Sequence, residues 1–301
     1  MKRIVLTALL AAALALPAAA KPRNIRGSEQ YKTQDVYTVA PFDQLSVSGQ
    51  LEVEFVQGPE GTYTVSYTGP YNLAEQTYIA SREGVLTVSY KEPLNVLGDE
   101  HVRVKIAAPD LRRIVVSGAG EVHAHEALDL DELTLVADGK GEIELDNLRA
   151  RAVSADLSGE GEAGILSLTC EILQVRAIDN SSFDAQRADC DTVVSLANNR
   201  ADITISGLNG QQIRAESSHA SETELKGRVA QASLTARDRS EIDAEGLQAD
   251  NADVMAGRSA HVGVRVAGTL NAQTEGRGVV EYKGWPQQIN RSGKGTVRPN
   301  K

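Results

Sequence analysis

The sequence predicts an all-β chain wound as a single-stranded parallel β-helix with about 20 residues per coil. Three observations carry that expectation: a short block that recurs at a fixed period, columns of one residue character when the blocks are aligned, and strand-like alternation between blocks. The blocks begin at Ser117, Asp138, Ser158, Ile178, Asn198, Ser218, Arg237, Gly257, Glu275 and Ser292, at steps of 21, 20, 20, 20, 20, 19, 20, 18 and 17 residues. A period of this size marks an architecture in which each unit buries its apolar side only by stacking on the next.

The columns give each coil its parts. The second column (Gly118, Gly139, Gly159, Asp179, Asn199, His219, Asp238, Arg258, Gly276, Gly293) suits a corner where the backbone needs positive φ. The fourth (Gly120, Gly141, Gly161, Ser181, Ala201, Ser221, Ser240, Ala260, Gly278, Gly295) is small throughout, which points to crowding at a bend. The sixth is mostly apolar, from Val122 to Val297. A further ladder falls at Leu128, Leu148, Leu168, Ala188, Leu208, Leu247 and Ala267. Before each block, alternate residues such as Leu133/Leu135/Ala137 and Leu173/Val175/Ala177 are apolar or small. Each coil therefore reads as about three short strands with no helix between them. Aromatics make up only 4% of the chain, too few for a β-propeller, whose blades also need about 40 residues each.

Ahead of the repeats, residues 1–20 read as a bacterial signal peptide: Lys2 and Arg3, an apolar run, then small residues, with cleavage near Ala20 and Lys21. No cysteine follows that run to accept a lipid. Residues 21–40 are polar and aperiodic and read as a linker. Between 41 and 110, alternating segments such as 51–55, 63–67, 85–88 and 102–106 form either irregular first coils or a cap, and the regular coils occupy 111–298. Without Lys2 and Arg3 the chain keeps 29 basic residues against 41 acidic. That acidic balance disfavours nucleic acid and anionic membrane surfaces, and no segment is expected to insert in a membrane.

These residues resemble a known family. The pattern Phe42…Ser48-Gly49…Val53…Gln57-Gly58, the Ser117-Gly118-Ala119-Gly120 type of block, and the closing Tyr282-Lys283-Gly284-Trp285-Pro286 with Ser292-Gly293-Lys294-Gly295 are similar to the bacterial head GIN domain proteins. The resemblance covers roughly residues 38–298 and implies an exported, right-handed β-helix like the head of an autotransporter adhesin. It departs from the pattern in blocks four to eight, which lack most of the glycines.

Candidate chemistry is sparse. Cys170 and Cys190 sit at equivalent places in adjacent coils and read either as a disulfide or as two buried thiols. The fifth column is acidic at Glu121, Glu142, Glu162, Asp202, Glu222 and Glu241; it reads as a solvated edge balanced by Lys140, Arg200, Arg239 and Arg277, with calcium or a basic partner as the functional alternative. His123 and His125 share a side of one strand but lack a third metal ligand. Seven tyrosines precede the repeats, placed to pack a cap or to meet a partner. No nucleophile elbow, phosphate loop or zinc spacing occurs, and no cofactor is expected. The expected function is a non-catalytic, adhesin-like or envelope-associated binding module. It would act in the periplasm or at the surface of a Gram-negative bacterium on a protein or carbohydrate ligand. The alternatives are a polysaccharide lyase or glycoside hydrolase, and a purely structural envelope protein.

Overall fold

The computed structural model describes residues 21–300; residues 1–20, read above as a signal peptide, lie outside the described residues. Strand accounts for 73% of the chain and helix for 1%, arranged as a parallel solenoid of about nine turns of roughly 20 residues. Equivalent residues of successive coils pair side by side: Val122 with Ile143, Ile143 with Ala163, Ala163 with Phe183, and Phe183 with Ile203. The inward columns merge into one apolar core that runs from Phe42 to Val280.

Within a coil the three strand runs are less separate than the sequence suggests. Glu121–Gly139 is one continuous strand that bends on the way, with its register slipping only between Ala124 and Ala127. The sharp corner lies in the block itself. All ten second-column residues have positive φ, including His219 at 63° and Arg258 at 59°, which cost strain that glycine does not. The left-handed residue aims its carbonyl along the stack, so that Lys140 N–H donates to Gly118 O and Asn180 N–H to Gly159 O, 2.6 and 2.8 Å. The fourth column is crowded: a Cβ on Gly141 would stand 2.7 Å from Val116 O, and one on Gly161 2.5 Å from Ala137 O. Where serine replaces glycine, its hydroxyl joins the corner; Ser221 Oγ donates to Ala197 O at 3.1 Å.

One column departs from expectation. Ala267 is exposed, because the penultimate coils are shorter at this bend; the strand His261–Val266 skips part of the ladder and Val266 pairs with Ala249.

Residues 21–40 are not a free linker. Tyr31–Thr38 pairs antiparallel with Thr64–Pro70, which pairs antiparallel with Val102–Ala108, while Arg23–Arg26 runs parallel to Leu94–Leu97. The polarity of 31–38 fits an outermost strand, where charge discourages further pairing. Between 41 and 110 the chain forms both coils and cap. Gln44–Ser48 and Leu51–Gln57 make one rung, sandwiched between 113–124 on one side and a rung of Val85–Tyr90 and Val102–Ala108 on the other. Antiparallel strands close that outer rung.

The other end is closed by side chains. The inward positions Leu234, Val254 and Ala272 are succeeded by Arg291, whose guanidinium lies 5.9 Å over the Tyr282 ring and donates to Tyr282 Oη at 3.2 Å. A further apolar coil could follow only by burying that charge, which is unfavourable.

Candidate functional site

The acidic column faces outward. Glu52, Glu121, Glu142 and Glu162 pair in register, followed by Ser182, Asp202, Glu222 and Glu241. Two residues further along the same strands a second column carries Glu54, Glu144, Asp184, Glu224 and Asp243, interrupted at His123, Gly164 and Thr204. Alternation puts both columns on one sheet face, with rungs about 4.8 Å apart.

Cations neutralise the two ends of this face and Lys226 pairs with Glu224, but a run of carboxylates between the ends has no such partner. Near the capped end Arg103 holds Glu52 at 2.8 Å and Lys105 holds Glu54 at 3.0 Å. Near the other end Lys283 pairs with Glu245 at 2.7 Å and Arg298 with Glu281. Among the described residues, Glu142, Glu162, Asp184, Asp202, Glu222 and Asp243 have no ion pair. The third-column cations do not balance them as expected; Lys140 pairs instead with Glu160, 3.5 Å away.

The electrostatics follow the geometry. Partial burial, then the neighbouring carboxylates Glu144, Glu121 and Glu162, push the Glu142 carboxyl above its ordinary value. Burial followed by Asp202 and Glu241 does the same to Glu222, and burial followed by Glu224 and Asp184 to Asp202. Glu52 differs: burial opposes its ionisation, but hydrogen bonds from His101 and Arg103 outweigh burial and hold it low.

A raised carboxyl binds its proton more tightly in the folded than in the unfolded chain. Its contribution to stability is therefore full below the ordinary glutamate value of 4.5 and is lost as pH rises through the folded value. Glu222→Gln is expected to melt higher than the parent at neutral pH, by up to about 0.5 kcal/mol given the exposure of these groups. The gain should shrink toward pH 4 and in high salt. Paired thermal melts across pH check this, and an undiminished gain at pH 4 would rule out carboxylate repulsion as its cause.

Gly164 breaks the second column, and a Cβ placed there would meet nothing within 4 Å. The gap is a shallow notch rimmed by Glu144, Asp146, Glu162 and Asp184, with Leu166, 38% exposed, beside it. Its space is about 350 Å³, and the carboxylates around it share the lining with Ile165, Ser182 and Gln186. A glycine at an outward strand position amid acids is the signal that locates it in the sequence.

The remaining candidates divide. Cys170 and Cys190 come together in the core, with their sulfur atoms 2.7 Å apart. Glu121, Glu142 and Glu162 align on successive rungs, but no three His, Cys, Asp or Glu side chains among the described residues converge to hold a metal ion. His123 and His125 stack with centroids 6.0 Å apart and engage carboxylates separately, Glu144 at 3.2 Å and Asp146 at 3.4 Å. The tyrosines split: Tyr90 is buried with its hydroxyl on Gln50 O at 2.8 Å, and Tyr63 packs edge-on to Phe42, while Tyr31 and Tyr71 are exposed. Trp285, in the turn after Val279–Lys283, is 94% exposed. No helix among the described residues is long and apolar enough to cross a membrane.

The described residues thus form a capped parallel β-helix with near-uniform coils and one acidic face. The chain matches the family described as "Putative auto-transporter adhesin, head GIN domain" over residues 41–205 and 191–286, and it belongs to that family. A "putative adhesin" structure from Parabacteroides distasonis is 19% identical with a TM-score of 0.58, the match covering 92% of this chain and 100% of that one. Another from Parabacteroides merdae is 20% identical with a TM-score of 0.52, covering 93% and 100%. At that identity they speak to the fold alone. No curated protein matches the chain.

Proposed function

We propose that this chain is an exported, non-catalytic binding module of the bacterial envelope or surface, and that its acidic face engages a basic protein segment. The observation that carries this reading is the run of unpaired carboxylates along the middle rungs with an open notch at Gly164. Charges left unpaired repel each other at some cost to the fold. A lysine- or arginine-bearing strand laid along the stack would relieve that repulsion, and one cationic side chain fits the notch. Such a partner would be drawn in electrostatically and lost at high ionic strength. The rigid stack holds the carboxylates at fixed spacing, so little ordering cost falls on this side of the complex.

The test is a fluorescence-anisotropy titration with a labelled oligolysine peptide at low and physiological salt. Saturable binding should weaken with salt and fall at least tenfold in a Glu162→Gln/Asp184→Asn variant. Binding that ignores both substitutions, or none at low salt, overturns the acidic-face assignment. Release of shortened or unsaturated sugars from polysaccharides would overturn the non-catalytic part.

A further inference from the structure

We propose that Cys170 and Cys190 are joined in the folded protein by an intramolecular disulfide that ties two successive coils of the stack together. The two residues are direct cross-strand partners in the parallel ladder, with Thr169 opposite Asp189 before them and Ile172 opposite Thr192 after them. Neighbouring strands lie about 4.8 Å apart, inside the Cα separation of roughly 4.4–6.8 Å that a disulfide spans. Both side chains point into the core, and their sulfur atoms stand 2.7 Å apart.

The surroundings leave these thiols little other chemistry. Both are buried, and Cys170 is pushed far up by its hydrogen bond with Cys190 and then by burial, with Asp189 and Asp191 adding to the effect. No histidine lies among the influences on Cys170, so that sulfur is not activated as a nucleophile. Forming the tie is the reaction that the geometry favours.

The tie also falls in a coil whose core holds several small residues. The coil of Cys190 is filled by Ala185, Ala188, Val193 and Ala197 around Phe183, and Ser195 Oγ is buried there without a hydrogen-bond partner. Its strand is interrupted between Ser182–Ala185 and Ala188–Asn199, whereas Glu142–Leu157 and Asp202–Ser218 run unbroken.

The step is a two-electron oxidation. Two S–H bonds are lost and one S–S bond forms, while the two protons and two electrons reduce a small-molecule or protein disulfide to two thiols by exchange. Because the thiols are buried, exchange must precede closure of the coil, and the finished bond is shielded from reductants.

The experiment uses the chain fully reduced and unfolded, then refolded in a buffer of glutathione and glutathione disulfide. It is quenched with N-ethylmaleimide in denaturant and its intact mass is read. The expected product carries no label and no glutathione; two labels, or one label beside a glutathione adduct, overturns the proposal. Melting supplies the second readout. The oxidised chain should melt several degrees above the same chain kept reduced, while a Cys170→Ala/Cys190→Ala variant should ignore the redox buffer. Equal melting of the oxidised and reduced parent chains also overturns it.

Discussion

Phe183→Ala is expected to lower unfolding free energy by about 3–5 kcal/mol, read from the denaturant midpoint, the largest loss that one side chain of the regular coils can give. Phe183 is the single phenylalanine of those coils and is buried between Ala163 and Ile203. Its neighbours along the coil, Ala185 and Ala188, are too short to swing into the space. The ladder fixes the backbone on both sides, so the cavity cannot collapse and the cost should sit near the top of the range. A loss below about 1 kcal/mol would mean that this coil is not filled as described.

Gly141→Leu should destabilise the fold by about 3 kcal/mol, the upper end of what overpacking costs. The obstacle is backbone: Val116 O and Val116 C lie 2.7 and 2.9 Å from where the Cβ would stand, and neither can turn aside as a side chain could. Gly164→Leu is the internal control, because the same added volume there enters open space. The pair separates crowding from glycine's general flexibility. Equal melting temperatures for the two variants would show that the corner is not tight.

Much of the fold was legible because a solenoid writes each structural demand once per coil. Ten examples of the corner let His219 and Arg258 be placed at positive φ although neither residue favours it. The strands between 51 and 106 were legible by alternation. Their order in space was not, because nothing local says that 85–108 lies outside 42–57. Residues 21–40 read as a linker since an edge strand meets solvent and needs no apolar period. Ala267 failed because a coil two residues short loses its step in the column. At the site, the acidic column was visible, but not which carboxylates stand alone. That depends on where Arg103, Lys105 and Lys283 land, and they come from the cap and the last coil. The notch at Gly164 depends on its neighbours' side chains, which a period cannot report.

The inverted order of the first rungs bears on how the chain folds. Each regular coil closes on a template about 20 residues behind it, a short loop with a modest entropic cost. Gln44 must instead find Val85 on one side and Arg113 on the other, across intervening segments that have to fold back and cap the outer rung. The amino-terminal rung therefore cannot act as the seed from which winding proceeds. The repeating middle holds the local pairings that form fast, and the long-separation closures at the capped end come at a slower pace. The polypeptide is threaded so that its beginning is among the last parts to be completed.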